Sequence, residues 1–255
     1  MPKFHLGFVL AVITAFAPIA SLAQAKADTA PSKEPSVSVP FVGCKSDGQT
    51  GPQDAPAGKR HVVSIPAEAA QQLAFYQSQY GHGVLAPRGW FCFGTYGSSG
   101  SQLYVSSQPI NSGDIFAENR KGFTGPAIEV GDSVGDTSGR FEVAKIMARV
   151  FPAYKNFVKK VIAEGIEPAS SFPSGPYPGD KLTYKSTRVV EFETPANAEG
   201  LGTASWLLKN DSPIRGVAVL VGPEPSLVQL SVRLAPGDKA LADAIIGQME
   251  RDARD

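Results

Sequence analysis

The chain has little cysteine, little histidine and no surplus of charge of either sign. Its 255 residues include two Cys and three His, and 24 Lys and Arg balance 24 Asp and Glu. Two cysteines are too few for a zinc finger or for a small domain held together by many disulfides. The balanced charge argues against a nucleic-acid coat, because counterion release requires a local surplus of Lys and Arg. We therefore expect no nucleic-acid partner.

The first 25 residues have the three-part pattern of a secretory signal peptide. Lys3 supplies a positive charge, an uncharged apolar stretch runs from Leu6 to Ala17, and Ala23-x-Ala25 is a small-residue cleavage site. The apolar stretch is shorter than the roughly 20 residues that a membrane-spanning helix needs, and later apolar runs are shorter still. We expect a soluble protein exported to the periplasm or the extracellular medium, without a transmembrane segment. A buried N-terminal helix is the alternative.

Export decides how the two cysteines are interpreted. In an oxidising compartment, Cys44 and Cys92 most simply form one disulfide, since there is no third cysteine. The bond would close a loop of about 50 residues and contribute about 4 kcal/mol in the chain-entropy model. A reactive thiol or redox pair is the alternative, but it usually has Cys-x-x-Cys spacing at a helix start, which this sequence lacks.

Proline and glycine divide the chain into a tail, a globular region and one long connection. Residues 26–40 are small, polar and Pro-containing, and predict a flexible tail after the signal peptide. The globular region follows over residues 41–255. Within it, residues 165–181 hold four prolines and are the best candidate for a subdomain boundary.

Hydrophobic periodicity predicts both helices and strands. Helices are expected from Pro66 to about Tyr80, over 139–165 with a kink or break at Pro152, and after Asp238. The strands are expected at 61–65, 88–96, 101–106, 183–194, 216–221 and 227–234, and the segment 107–139 is expected to be mostly loop. Because consecutive strands are joined by short turns, the prediction is an α+β fold with antiparallel sheets, helices packed on one side and one disulfide.

A dense aromatic segment offers a candidate binding surface. Arg88, Trp90 and Tyr96 lie within it, and His82 precedes it between two glycines. A cation beside amphipathic rings suits recognition of a sugar, a peptide or an anionic group. We predict a binding or interaction module without a cofactor, which binds a protein, glycan or small-molecule ligand through His82, Arg88 and Tyr96. For Trp90, packing on the disulfide is the favoured alternative.

The same histidine raises the hypothesis of an enzyme. A serine hydrolase needs a nucleophile, a histidine base and an orienting carboxylate. Ser98, Ser99 and Ser101 follow His82 closely, and Asp114 is a candidate for the carboxylate. No Gly-x-Ser-x-Gly motif is present, and the glycine–serine run fits a hairpin turn better. The alternative function is therefore an exported hydrolase of envelope or extracellular polymers with His82 as its base.

Three acidic residues raise the hypothesis of a calcium site. Glu129, Asp132 and Asp136 supply the oxygen ligands that calcium prefers. The Asp-x-Asp-x-Asp-Gly spacing is missing, so a polar surface turn is the favoured interpretation and no metal site is expected.

The segment predicted as the long helix has a one-sided charge. Between Glu142 and Glu164 there are five cations and no acid, and the cations are Lys145, Arg149, Lys155, Lys159 and Lys160. A basic amphipathic helix can lie on an anionic membrane surface. Peripheral membrane association through residues 145–160 is thus a third hypothesis, and the solvated face of an ordinary core helix is its alternative.

Overall fold

Two β-sheets and five α-helices make up the described part of the computed structural model, which comprises residues 1–4, 36–118 and 122–254. The strands are β1 Ser36–Gly43, β2 Ser46–Gly48, β3 Arg60–Ser64, β4 Leu73–Gln77, β5 Val84–Pro87, β6 Phe91–Gly97, β7 Gly100–Ser106, β8 Ala127–Ser133, β9 Lys181–Ser186, β10 Val189–Thr194, β11 Ile214–Val221 and β12 Ser226–Arg233. The helices are α1 Ala67–Gln72, α2 Ser112–Phe116, α3 Arg140–Val150, α4 Lys155–Ala163 and α5 Lys239–Asp252. No described helix is long and apolar enough to span a membrane.

The larger sheet has eight strands in the order β2-β6-β7-β8-β12-β11-β10-β9, and the smaller sheet has four in the order β3-β1-β4-β5. Neighbouring strands are antiparallel except for β2 beside β6 and β1 beside β4. Each sheet is therefore mixed. The predicted α+β class is confirmed, with one parallel pair added to each otherwise antiparallel sheet.

Helices cover both faces of the larger sheet rather than a single side. Strand β11 explains why, since it is an almost continuous apolar run. Val217 and Val219 share a core with α5 and the smaller sheet. Ala218 and Leu220 share a second core with α3 and α4. Because successive side chains of a strand point to opposite faces, an unbroken apolar strand must be covered on both.

The predicted disulfide between Cys44 and Cys92 is confirmed. Cys44 directly follows β1 of the smaller sheet, and Cys92 lies in β6 of the larger sheet. The bond therefore joins the two sheets covalently. Trp90 packs against the core that contains Cys44, as the core interpretation of this residue requires.

The helix predicted from Pro66 to Tyr80 ends early. Helix α1 stops at Gln72, and the chain continues directly into β4. Leu73 and Tyr76 are fully buried in the smaller sheet, and the two residues between them are also buried. A run buried on both faces fits a sheet better than an amphipathic helix, so tertiary packing overrides the local helix signal.

Two segments predicted to be irregular contain strands. Residues 36–40, expected in the tail, belong to β1 and pair with β3. The segment 107–139 contains α2 and also β8, which lies near the middle of the larger sheet. The rest of the predicted tail, and the predicted signal peptide beyond residues 1–4, lie outside the described residues.

The predicted break at Pro152 is present. Helix α3 ends at Val150, a 3-10 turn covers Pro152–Tyr154, and α4 begins at Lys155. The Pro-rich segment 165–181 belongs to the same unit as the strands on either side of it, since residues 34–255 form one unit. Phe172 from this segment is buried in the core of α3 and α4.

The carboxyl groups of Glu250 in α5 and Glu191 in β10 interact, and this interaction makes stability depend on pH. Burial and the nearby carboxyl of Glu191 raise the pKa of Glu250 from 4.5 to about 7. Because the folded chain holds the proton of Glu250 more tightly than the unfolded chain does, this group adds most to the free energy of unfolding below pH 4.5. Its contribution is lost as the pH rises through 7. Glu250→Gln should therefore match the native chain at low pH and be more stable above pH 7, by about 1–3 kcal/mol.

Urea unfolding on both sides of this pH range measures the effect of Glu250→Gln. The matched control is Glu68→Gln, because Glu68 is exposed on α1. We expect the control to leave the pH dependence of the native chain unchanged. Parallel stability curves for Glu250→Gln and the native chain would contradict the prediction.

Candidate functional site

The loop between β4 and β5 brings His82 against the larger sheet. Gly81 in this loop has φ of +77°, in the left-handed region that favours glycine. A Cβ at Gly81 would lie 2.0 Å from Ser101 Oγ and 2.5 Å from Asp132 Oδ2. Only glycine allows so close an approach. The approach brings the next residue, His82, within hydrogen-bond distance of Asp132.

His82 and Asp132 form an ion pair at this contact. The imidazole Nδ1 donates to Asp132 Oδ1, and the backbone N–H of His82 donates to Oδ2 at 2.9 Å. Ser101 Oγ also donates to Oδ2, at 3.3 Å. The hydrogen bond with Asp132 raises the pKa of His82 above its ordinary value, against the opposing effect of burial. The pair therefore fixes the ring and favours its protonated form.

Two tyrosines form the neighbouring wall. The rings of Tyr80 and Tyr96 have centroids 4.3 Å apart. The Tyr96 hydroxyl donates to the Gly51 carbonyl at 2.5 Å and lies 2.8 Å from Thr50 Oγ1. Hydrogen bonds to the loop that follows β2 therefore hold this ring in place. Tyr80 is 44% exposed. The tyrosines and the ion pair line one open cavity of about 500 Å³.

The structure brings two of the three predicted binding residues together. His82 and Tyr96 line the same cavity, whereas Arg88 does not. Arg88 Nε donates to the Leu73 carbonyl at 3.1 Å, and its Nη2 donates to the Ala70 carbonyl at 2.8 Å. The Arg88 guanidinium thus bonds to backbone carbonyls of α1 and β4, outside the cavity that His82 and Tyr96 line.

The weaker catalytic candidates also lie apart from His82. Asp114 Oδ2 accepts from the Asn111 backbone N–H at 3.0 Å, closing the capping box of α2. Ser99 sits in the β6–β7 turn, where its carbonyl accepts from Val134. The carboxylate that orients His82 is Asp132, and the Ser101 hydroxyl donates to that carboxylate. Ser101 therefore does not complete the order of serine, histidine and aspartate, because it bonds to the aspartate, whereas Ser98 lines the same cavity as His82.

Asp132, which orients His82, is also one of the three acidic residues of the calcium hypothesis. Glu129 and Asp132 are three residues apart on β8, so their side chains point to opposite faces of the sheet. In the described ranges, no group of three or more His, Cys, Asp or Glu side chains is arranged to hold a metal ion. The alternation of Ile128 and Val130 with polar residues is the one signal that marks this segment as a strand.

No protein-family model, curated protein or solved structure matches this chain. A function therefore has to be inferred from the arrangement of its own residues.

The hypothesis of membrane association gains no support from α3 and α4. Their apolar stripe packs on the larger sheet, so it is not available for insertion into a bilayer. Lys145 forms ion pairs with Glu142 at 2.6 Å and with Glu167 at 3.3 Å. Arg149 lies over the Tyr177 ring, 4.0 Å from its centroid. The arrangement is that of core helices with a partly paired basic face, and we do not propose the membrane function.

Proposed function

We propose that the protein is an exported binding protein that holds a saccharide unit of an envelope or extracellular polymer in the cavity of His82 and Tyr96. The observation that carries this proposal is the pair of tyrosine rings beside the His82–Asp132 ion pair. Export is supported by the signal-peptide pattern and by the disulfide, because such bonds persist in oxidising compartments.

A saccharide ring needs two kinds of contact, and the cavity supplies both. Its C–H face is apolar and packs on an aromatic ring, for which the exposed part of Tyr80 is suited. Its hydroxyl groups both donate and accept hydrogen bonds. The imidazole of His82, in the protonated form that Asp132 favours, donates, the carboxylate of Asp132 accepts, and bonds to charged groups are the stronger kind. The tyrosine rings therefore supply apolar contact area for the saccharide, and the His82–Asp132 pair orients its hydroxyl groups.

The aromatic wall gives the first test of this function. Tyr80→Ala should weaken saccharide binding by about tenfold or more, since stacking area is lost without touching the core. Isothermal titration with soluble oligosaccharides of amino sugars, neutral glucans and uronic acids measures the effect. Tyr184→Ala is the matched control, because Tyr184 is 54% exposed on β9, outside the cavity.

We expect one saccharide class to bind and Tyr184→Ala to bind it like the native chain. Equal affinities of the two tyrosine variants would place the saccharide elsewhere. The absence of heat with every oligosaccharide at about 10 mM, where a ligand of even millimolar affinity is detected, would reject the function itself.

Hydrolysis with His82 as the base is the second candidate function. The observation in its favour is that Asp132 holds the imidazole through Nδ1, as the orienting carboxylate of a histidine base does. Because Ser101 is bound to Asp132, the base would act on a water molecule rather than on a serine. Analysis of the same oligosaccharides for cleavage products tests it, and products that His82→Ala still forms would remove this candidate.

A further inference from the structure

A second cavity, of about 210 Å³, lies on the opposite face of the larger sheet from His82. Strands β7, β8 and β12 form its floor, and α3 forms one wall. We call it the polar cleft, because most of the side chains that characterise it are polar: Gln102, Glu129, Lys145, Arg149, Gln229 and Ser231. It shares no lining residue with the His82 cavity.

The floor of the polar cleft is one continuous polar layer across three strands. Gln102 on β7 and Gln229 on β12 both pair with Gly131 of β8, and Ser231 pairs with Glu129. A Cβ at Gly131 would lie 2.4 Å from Gln102 Oε1, so the glycine leaves room for this amide above the strand. Interior sheet faces normally carry apolar side chains, and a polar one needs partners.

One polar group of this layer is buried without a partner. Ser231 is 1% exposed, and its Oγ has no hydrogen-bond partner in the structure as described. A buried hydroxyl without a partner costs free energy. Glu129 beside it is 6% exposed, and its Oε2 accepts from the Trp206 backbone N–H at 2.6 Å. A bound molecule that bonds to Ser231 would remove the cost.

A guanidinium faces this floor from the helix. Arg149 is held by the Gly175 carbonyl at 3.3 Å and by the Tyr177 ring. None of the ion pairs between described residues includes it, whereas Lys145 on the same wall is paired twice. A guanidinium fixed in place by neutral groups keeps the donors that match a carboxylate.

We propose that the polar cleft binds a small zwitterion of the α-amino-acid class, with its carboxylate on Arg149 and its ammonium group on Glu129. The Arg149 guanidinium donates to a carboxylate and the Glu129 carboxylate accepts from an ammonium group, and hydrogen bonds between charged groups are the stronger kind. A zwitterion is attracted by both. The remaining hydrogen bonds of the ligand go to Ser231 and to the side-chain amides of Gln102 and Gln229. The cavity volume of about 210 Å³ limits the ligand to a small molecule. This site is independent of the saccharide proposal.

Titration of the protein with each of the common L-amino acids, up to about 10 mM, tests the proposal. We expect at least one of them to bind. Its methyl ester, which lacks the carboxylate, and its N-acetyl derivative, which lacks the ammonium group, should each bind at least about tenfold more weakly. No binding by any amino acid, or equal binding by the derivatives, would overturn the proposal.

Two variants assign the binding to this cavity. Arg149→Met keeps an aliphatic chain on Tyr177 and should weaken binding by about tenfold or more. Its control is Arg188→Met, because Arg188 lies over the Tyr154 ring outside the polar cleft. Ser231→Ala should fold at least as stably as the native chain, since it removes a hydroxyl without a partner, and yet bind more weakly. Unchanged affinity in both Arg149→Met and Ser231→Ala would overturn the assignment.

Discussion

Replacement of Arg233 by methionine should lower the free energy of unfolding by about 3–5 kcal/mol, because it removes a buried, charged hydrogen-bond donor. Arg233 is 1% exposed at the end of β12. Its Nε and Nη2 donate to the Gly125 carbonyl at 3.0 and 2.7 Å, Nη2 donates to Phe123 at 2.6 Å, and Nη1 donates to Leu208. Methionine keeps the aliphatic volume and removes the guanidinium donors of the Gly125 and Leu208 carbonyls, whereas the Phe123 carbonyl still accepts from the Leu208 backbone N–H at 2.9 Å.

Urea unfolding with linear extrapolation measures this loss. Arg60→Met is the control, because Arg60 is exposed on β3 and its bonds to Ser38 lie in solvent. We expect a change within about 0.5 kcal/mol for the control. If both variants lost equally little, the carbonyls would have found other donors and the role assigned to Arg233 would be wrong.

The loops that Arg233 holds lie next to one of the residues of the polar cleft. The carbonyls that it holds belong to two loops that meet at the bridge between Phe123 and Leu207. The residue before Leu207 is Trp206, whose backbone N–H bonds to Glu129. Arg233 therefore contacts the loops next to the backbone N–H that bonds to Glu129, although it lines no part of the cleft.

Much of the fold could be predicted from the sequence because its signals are local. The alternation in β12 and the stripe of α3 and α4, interrupted at Pro152, each lie within a single segment. Strand β8 was missed because Glu129 and Asp132 break the apolar pattern that identifies a central strand. Each of these polar residues belongs to a site, one on each face of the sheet. The local rule therefore fails at positions that line the two candidate sites.

The candidate sites were less predictable because distant segments build them. His82 and Tyr96 lie close in sequence, but Asp132 is 50 residues from His82 and meets it through the close approach at Gly81. In the polar cleft, Gln102 and Ser231 come together only through the pairing of three strands. Strand register follows from tertiary structure, and no spacing in the sequence encodes it.

Removal of the disulfide should lower the free energy of unfolding by about 3–4 kcal/mol, because the bond restricts a long loop of the unfolded chain. Cys44 and Cys92 are separated by 48 residues. Urea unfolding of the native chain with and without reductant measures the effect, and a Cys44→Ala/Cys92→Ala variant should be insensitive to reductant. A native chain with the same unfolding midpoint in both conditions would contradict the prediction.

The position of the disulfide adds a second expected effect, on the His82 cavity. His82 is carried by the smaller sheet and Tyr96 by the larger sheet, and the bond joins the two. Reduction should therefore weaken saccharide binding while the chain remains folded, since the two halves of the site lose their covalent link. The polar cleft is built on the larger sheet and its own helix, so amino-acid binding should persist under the same conditions. Comparison of the two titrations before and after reduction thus separates a local change at the sheet junction from general unfolding.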